Sequence, residues 1–386
     1  MTSPLVRTAS RREVLALGLA AVAAALGRRF GVLPDFTMRD DVHRATASEP
    51  GLVIRNPRPL DAESPPEALR TLETPVERFF VRSHHGPPRN LPAAWTLTID
   101  GEATRPVTVT VEEIRRMPKV RRLVTIECAG NGRGRFELPS TSGVQWGLGA
   151  VGTATWTGVS LASVLERAGL KPAARHLWME AADHGPLSTV PKFLRSIPRD
   201  VALGDALVAY EMNQQPIPVL HGGPLRLVVP GWYGMASTKW LTHVHARPSE
   251  SDNFFMARGY RYGEGNPVRL MRVKSLITSP LDGERVRAGH VRVTGAAWTG
   301  TGTVQRVELS ADGGRTWVPA NFSSAERSGA WRLWHGEVLI PAAGEQTVRA
   351  RAVDSAGNAQ PEHATPNPGG YGNNSIHEVR FRAVQA

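Results

Sequence analysis

Val124-Thr-Ile-Glu-Cys128-Ala-Gly-Asn-Gly-Arg133 sets a run of strand-favouring residues against a glycine-rich loop, with the only cysteine of the chain at the junction. The β-branched side chains at 124–126 suit a pleated, half-buried strand. Gly130 and Gly132 allow positive φ or a close backbone approach immediately after it. The pattern presents one thiol from the end of a rigid strand into a pocket. A lone cysteine in such a place can be an inert core residue. It can also be a nucleophile paired with one of the 12 histidines, or a thiolate metal ligand.

Working outward, Trp95-Thr-Leu-Thr-Ile99 alternates with period two, as a half-buried strand does. Thr110-x-x-Glu113 is a helix-start signal for 107–117. Residues 159–168 read as a helix stopped by Gly169. Short apolar strands, Gly/Pro loops and short helices over 76–255 give a mixed α+β domain rather than a regular βαβ series. From about 275 the pattern changes. Short strands are expected at 291–293, 304–309, 331–334, 338–340, 348–353 and 379–381, with Asp312-Gly-Gly314 as a hairpin turn. In Thr347-Val-Arg-Ala-Arg-Ala-Val353 arginines alternate with apolar residues, so one face is buried and the other wet. Residues 275–386 are therefore expected to form an immunoglobulin-like β-sandwich, joined through 256–274.

The 386 residues are enough for two domains, and 41% apolar with 21% charged residues excludes a dominantly disordered chain. The single cysteine excludes an intramolecular disulfide, a C-x-x-C-H haem attachment and a Cys-rich zinc or iron–sulfur site. The formal net charge is +11, but only five of the 46 basic residues are lysines and no basic block occurs. A nucleic-acid partner is not expected; an anionic substrate is. At the start, Ser10-Arg11-Arg12-Glu-Val-Leu15 leads into a small apolar run over 16–26. This resembles a twin-arginine export signal (1–30), so a periplasmic location is expected, with the segment cleaved or retained as an anchor. Residues 31–75 read as an extended connecting segment.

Several motifs then occur in one order over roughly 75–386. Glu127-Cys-Ala-Gly-Asn-Gly-Arg133 resembles the molybdenum-binding loop of the sulfite oxidase family, and Phe79-Phe-Val-Arg82-Ser-His84 resembles that family's F-x-R-N-H segment. Gln145-Trp146-Gly, Trp156-x-Gly158-Val, Ala209-Tyr-Glu-Met-Asn213, His221-Gly-Gly-Pro-Leu-Arg226, Val229-Pro-Gly231 and Lys239-Trp240 continue the match, and Asn358-x-Gln-Pro361 resembles the end of its dimerisation domain. The resemblance implies a molybdopterin cofactor with one molybdenum held by Cys128, and oxidation of sulfite to sulfate at a mononuclear molybdenum–oxo centre. It further implies that Arg82, Arg133, Tyr260 and Trp146 form the catalytic pocket, and that His84, Asp183, His221, Arg226, Ser237 and Lys239 hold the pterin and its phosphate. Arginine supplies the fixed, planar positive charge that an anion site needs. No haem is expected in this chain, so electrons are expected to pass to a soluble cytochrome c. A homodimer is implied through the sandwich.

The chain also departs from the family pattern. Ser83 stands where asparagine is common, and Gly259 precedes Tyr260 where animal enzymes carry aspartate. Tyr371, in Pro366-Asn-Pro-Gly-Gly-Tyr371-Gly, falls near the place of a third pocket arginine. These differences leave room for a related sulfur anion, as in the molybdenum subunit of a sulfane-sulfur dehydrogenase. Outside enzymes altogether, a periplasmic binding or assembly module with a buried Cys128 is the alternative.

Overall fold

The computed structural model describes residues 51–136, 141–187, 189–263 and 265–385. The expected export signal and the first part of the connecting segment lie outside these residues. The described residues form one compact unit.

Strands dominate, and the expected α+β class is corrected to a mostly-β architecture. Among the described residues, the longest α-helices, Val111–Arg116 and Leu161–Glu166, have six residues each, against eleven in the strand Gly344–Asp354. The helix-start signals are real, but the helices stop early. Thr110 and Glu113 form a reciprocal capping box, and the helix ends at Met117 because Pro118 disfavours the α conformation in the residue before it. Val159 and Ser160, expected as helix, instead finish the strand Val151–Ser160. The Ser160 hydroxyl then caps the short helix that follows by accepting from the Ser163 amide.

Two five-stranded sheets build the first part. In one, Val120–Glu127 pairs with Val151–Ser160, which pairs with Leu207–Met212, itself flanked by Gln215–Pro216 and Arg226–Val228. In the other, Val107–Thr110, Thr96–Gly101, Leu241–Arg247, His176–Ala181 and Leu194–Pro198 lie in that order. The expected alternation in Thr96–Gly101 buries Leu97 and Ile99 completely. They join Trp95, Leu177 and Val244 in the main core.

The second part is a sandwich of a four-stranded and a five-stranded sheet. Its core sets Val293, Ala297 and Trp334 against Leu309, Ala350 and Phe381. The strands expected at 331–334 and 338–340 merge into one, Arg332–Ile340. The Asp312 turn is a wider loop than a two-residue hairpin, closed by the Asp312 carboxylate accepting from the Thr316 amide and hydroxyl. The two parts also share a core, in which Ala129, Tyr233 and Tyr260 pack with Leu276, Trp298 and Trp331. The cysteine loop therefore lies against the sandwich rather than in a separate lobe.

Candidate active site

Cys128 ends the strand Val120–Glu127, as the sequence pattern requires. Its amide donates to Ala150 O at 2.8 Å, continuing the ladder one residue past the strand. The loop then turns on Gly132, at φ +87°, while a Cβ at Gly130 would stand 2.8 Å from the Arg133 guanidinium. The thiol is half-buried and lines a cleft that encloses about 740 Å³, part of it continuous with solvent. Burial pushes the Cys128 thiol up, while Arg82, the Gly130 amide and Arg133 pull it down. A cation bound at the sulfur would reverse the outcome.

Arg82, His84 and Tyr260 line the same cleft as a hydrogen-bonded series. Arg82 Nη2 lies 3.0 Å from His84 Nδ1, and His84 Nε2 lies 2.7 Å from the Tyr260 hydroxyl. A guanidinium only donates, so His84 Nδ1 accepts. The proton of His84 then sits on Nε2 and is donated to the Tyr260 oxygen, which leaves the phenol's own proton available to the cleft. Burial, reinforced by Arg82, holds His84 well below its ordinary pKa, consistent with a neutral ring. Burial likewise raises Tyr260, so its hydroxyl keeps its proton at neutral pH. Arg82 is itself oriented by Asp61, 3.1 Å away and 1% exposed, and by Ser83 O at 2.6 Å.

A second group of cleft residues carries positive charge without an anion. Arg226 donates to His221 O at 2.5 Å and Ser237 O at 3.1 Å, and its guanidinium lies 4.7 Å from the centre of the Trp156 ring. Lys239 donates to Leu220 O at 2.9 Å and rests over Trp240. Among the described residues, neither has a carboxylate within 4 Å. Burial depresses them accordingly, Arg226 to about 9, Lys239 to about 7 and the nearby His221 to about 3. Holding such charges buried without a counter-charge is costly, and an anion bound between them would offset that cost. Asp183, 6% exposed, adds an acceptor with no cation among the described residues within 4 Å of it. Unpaired cations, one unpaired carboxylate and one soft thiolate together fit a molybdopterin: the thiolate for the metal, the cations for the phosphate, the carboxylate for the ring N–H donors.

Nine of the eleven residues singled out from sequence thus line one cleft. Two do not. Trp146 is 1% exposed and packs in the core with Phe79 and Trp156. Arg133 is not among the lining residues: its Nε donates to Gly369 O and its Nη1 to Val144 O, each at 2.9 Å, and its guanidinium sits over Tyr371. A motif fixes which residues are neighbours in the chain, not which way each side chain points. Sequence reasoning missed Asp61. It lies in the strand Leu60–Glu63, all four residues of which are buried, within a stretch read as an open connection. It also missed Phe193 and Arg195, which belong to no motif.

Residues 84–255 match the family described as oxidoreductase molybdopterin binding domain, and residues 266–384 match the Mo-co oxidoreductase dimerisation domain. The chain is 34% identical over 376 residues to the mitochondrial sulfite oxidase of Homo sapiens, covering 90% of this chain and 69% of that protein. It is 33% identical over 374 residues to the sulfite oxidase of Arabidopsis thaliana, covering 86% and 94% respectively. Among solved structures, the sulfane dehydrogenase SoxCD from Paracoccus pantotrophus superimposes with a TM-score of 0.77 at 26% identity, over 92% of this chain and 98% of that one.

Proposed function

The chain belongs to the sulfite oxidase family of molybdopterin-dependent oxidoreductases, and from that premise we propose that it oxidises sulfite to sulfate. The balance is sulfite plus water giving sulfate, two protons and two electrons. A molybdopterin held in the cleft by Cys128, Arg226 and Lys239 would supply the oxygen-atom transfer and two-electron redox chemistry. The chain's own residues do the rest. Arg82 places a fixed positive charge beside Cys128 and attracts the dianion. His84, locked in one tautomer, holds the Tyr260 oxygen and directs its proton toward an oxyanion in the cleft. Phe80 and Phe193 limit water around these groups.

The observation that carries this reading is the Arg82–His84–Tyr260 series converging on the cleft that also holds the only cysteine. In the same reading the chain is exported by its twin-arginine segment, dimerises through 266–384 and passes electrons singly to a soluble cytochrome c. The test is sulfite-dependent cytochrome c reduction by the exported, metal-loaded protein. Turnover by the isolated chain supports the reading, and failure with sulfite at any concentration removes it.

One observation favours a second reading. Among the described residues only two arginines, Arg82 and Arg226, line the cleft, and Tyr371 stacks on Tyr260 at 5.2 Å between ring centres. A pocket with less positive charge suits a sulfur group less charged than sulfite. The sulfane dehydrogenase likeness supports the same idea. In that case activity requires a partner subunit and is lost in the isolated chain.

A further inference from the structure

Tyr260 has φ +55°, a left-handed conformation that is costly for a residue with a Cβ and bulky ring. Backbone geometry of this kind persists only where surrounding groups over-determine it. Four side chains bear on the ring, one of them Phe193, edge-on with ring centres 6.4 Å apart. The Tyr371 ring stacks on it with centres 5.2 Å apart and planes 20° from parallel. The His84 ring meets it edge-on. The Arg195 guanidinium lies 5.1 Å from its centre.

Arg195 is the unexpected member. It comes from the strand Leu194–Pro198 and is 2% exposed. Its Nη1 donates to Phe255 O, and among the described residues its Nε has no hydrogen-bond partner and no carboxylate lies within 4 Å. A fully desolvated arginine without an anion is expensive, and leucine or methionine would fill the same space without that cost. What arginine adds is a planar cation that stacks on an aromatic face and is attracted to its quadrupole. Burial lowers Arg195 to about 10. Arg133 repeats the arrangement on Tyr371, 5.2 Å from that ring's centre. The contacts therefore run Arg133–Tyr371–Tyr260–Arg195, a cation at each end of a stacked tyrosine pair.

We propose that Arg195 is a positioning residue for Tyr260, holding the phenol through its ring so that the hydroxyl meets His84 and faces the bound oxyanion. The assignment rests on the reading of Tyr260 as the hydrogen-bond donor to that anion. Arg195 does not touch the anion itself, so its effect passes through the hydroxyl.

The test uses the metal-loaded protein with Arg195→Met and Arg195→Lys, each made alone and on Tyr260→Phe. Two quantities are read: kcat/KM for sulfite, and the sulfate dissociation constant by titration calorimetry. Arg195→Met is expected to weaken both by about thirtyfold, the size of a desolvated cation–π contact, and Arg195→Lys by about threefold. On Tyr260→Phe, where no hydroxyl remains to be placed, either change should alter both by less than about twofold. Equal losses in both backgrounds would make Arg195 merely structural and overturn the assignment. If Arg195→Met does not fold, the Arg195→Lys pair carries the same comparison. If Tyr260→Phe itself changes neither quantity, the donor reading of Tyr260 fails first, and that outcome is distinct from a loss independent of the hydroxyl.

Discussion

Glu127 and Lys274 form a buried ion pair, 2.8 Å from Oε1 to Nζ, with side chains 1% and 3% exposed. They are 147 residues apart and come from the two halves of the chain. The Glu127 carboxylate also accepts from Asn131 Nδ2 and Trp298 Nε1, each at 2.9 Å. The residue immediately before Cys128 is thus fixed both to its own loop and to two strands of the sandwich. Removing one partner of such a pair leaves an uncompensated charge in the core, which costs about 3–5 kcal/mol. Lys274→Met should lower urea stability by that amount. Adding Glu127→Gln should recover part of it, because the stranded carboxylate is gone. A Lys274→Met protein as stable as the parent would show that the pair does not join the halves.

Cys128→Ala tests the metal ligand separately from the fold. The side chain is half-buried and makes no hydrogen bond through sulfur within the described residues, so little packing is lost. Thermal stability of the cofactor-free protein should change by less than about 1 kcal/mol. Molybdenum per chain, read by plasma mass spectrometry, should fall from near one to near zero, and sulfite turnover with it. Retained metal in the variant would move the ligand role elsewhere.

Among the described residues Lys239 has no carboxylate within 4 Å, and its pKa is depressed to about 7 by burial. The sign of its effect should therefore depend on what fills the cleft. Lys239→Met should leave the cofactor-free protein as stable or slightly more stable at pH 6, where the lysine is buried with its charge. The same change should reduce cofactor content of the purified protein severalfold, since a charge-assisted bond to an anionic tail is lost. Normal cofactor content would remove Lys239 from the anion-binding group.

The cysteine loop and the Arg82-x-His84 pair were legible because their neighbours in sequence are their neighbours in space: a strand end, a turn and one residue between two cleft-lining side chains. Asp61, Lys274 and Arg195 were not. Each acts across a separation of twenty residues or more, and nothing local marks an aspartate that will face Arg82 or an arginine that will lie on Tyr260. Trp146 and Arg133 show the complementary limit: the motif marks both, yet Trp146 is packed in the core and Arg133 is bonded to loop carbonyls, and neither lines the cleft. The helices were overread for a similar reason. A capping box at Thr110 declares where a helix begins, while its length is set by Pro118 and by the sheet that the chain must rejoin.

His221 and His377 predict how the protein responds to acid. Both are buried neutral, with pKa values lowered from 6.5 to about 3 by burial and by nearby cations: Lys239 and Arg226 for His221, Arg135 and Lys274 for His377. His377 Nδ1 also accepts from the Ile277 amide at 2.9 Å, a bond that protonation would break. The folded pKa lies below the unfolded one, so unfolding takes up protons between about pH 6.5 and 3. Stability is complete above 6.5 and lost as the pH falls through that window. From pH 7 to 5 each histidine should cost about 2 kcal/mol, and the pair about 4 kcal/mol. Asp61 and Asp183, both raised by burial, act in the opposite sense and reduce the net slope. Comparison with His377→Gln isolates one histidine from that background. The variant should lose about 2 kcal/mol less than the parent between the two pH values in urea titrations. Parallel losses in the two proteins would mean that His377 is already protonated, or freely solvated, in the folded state.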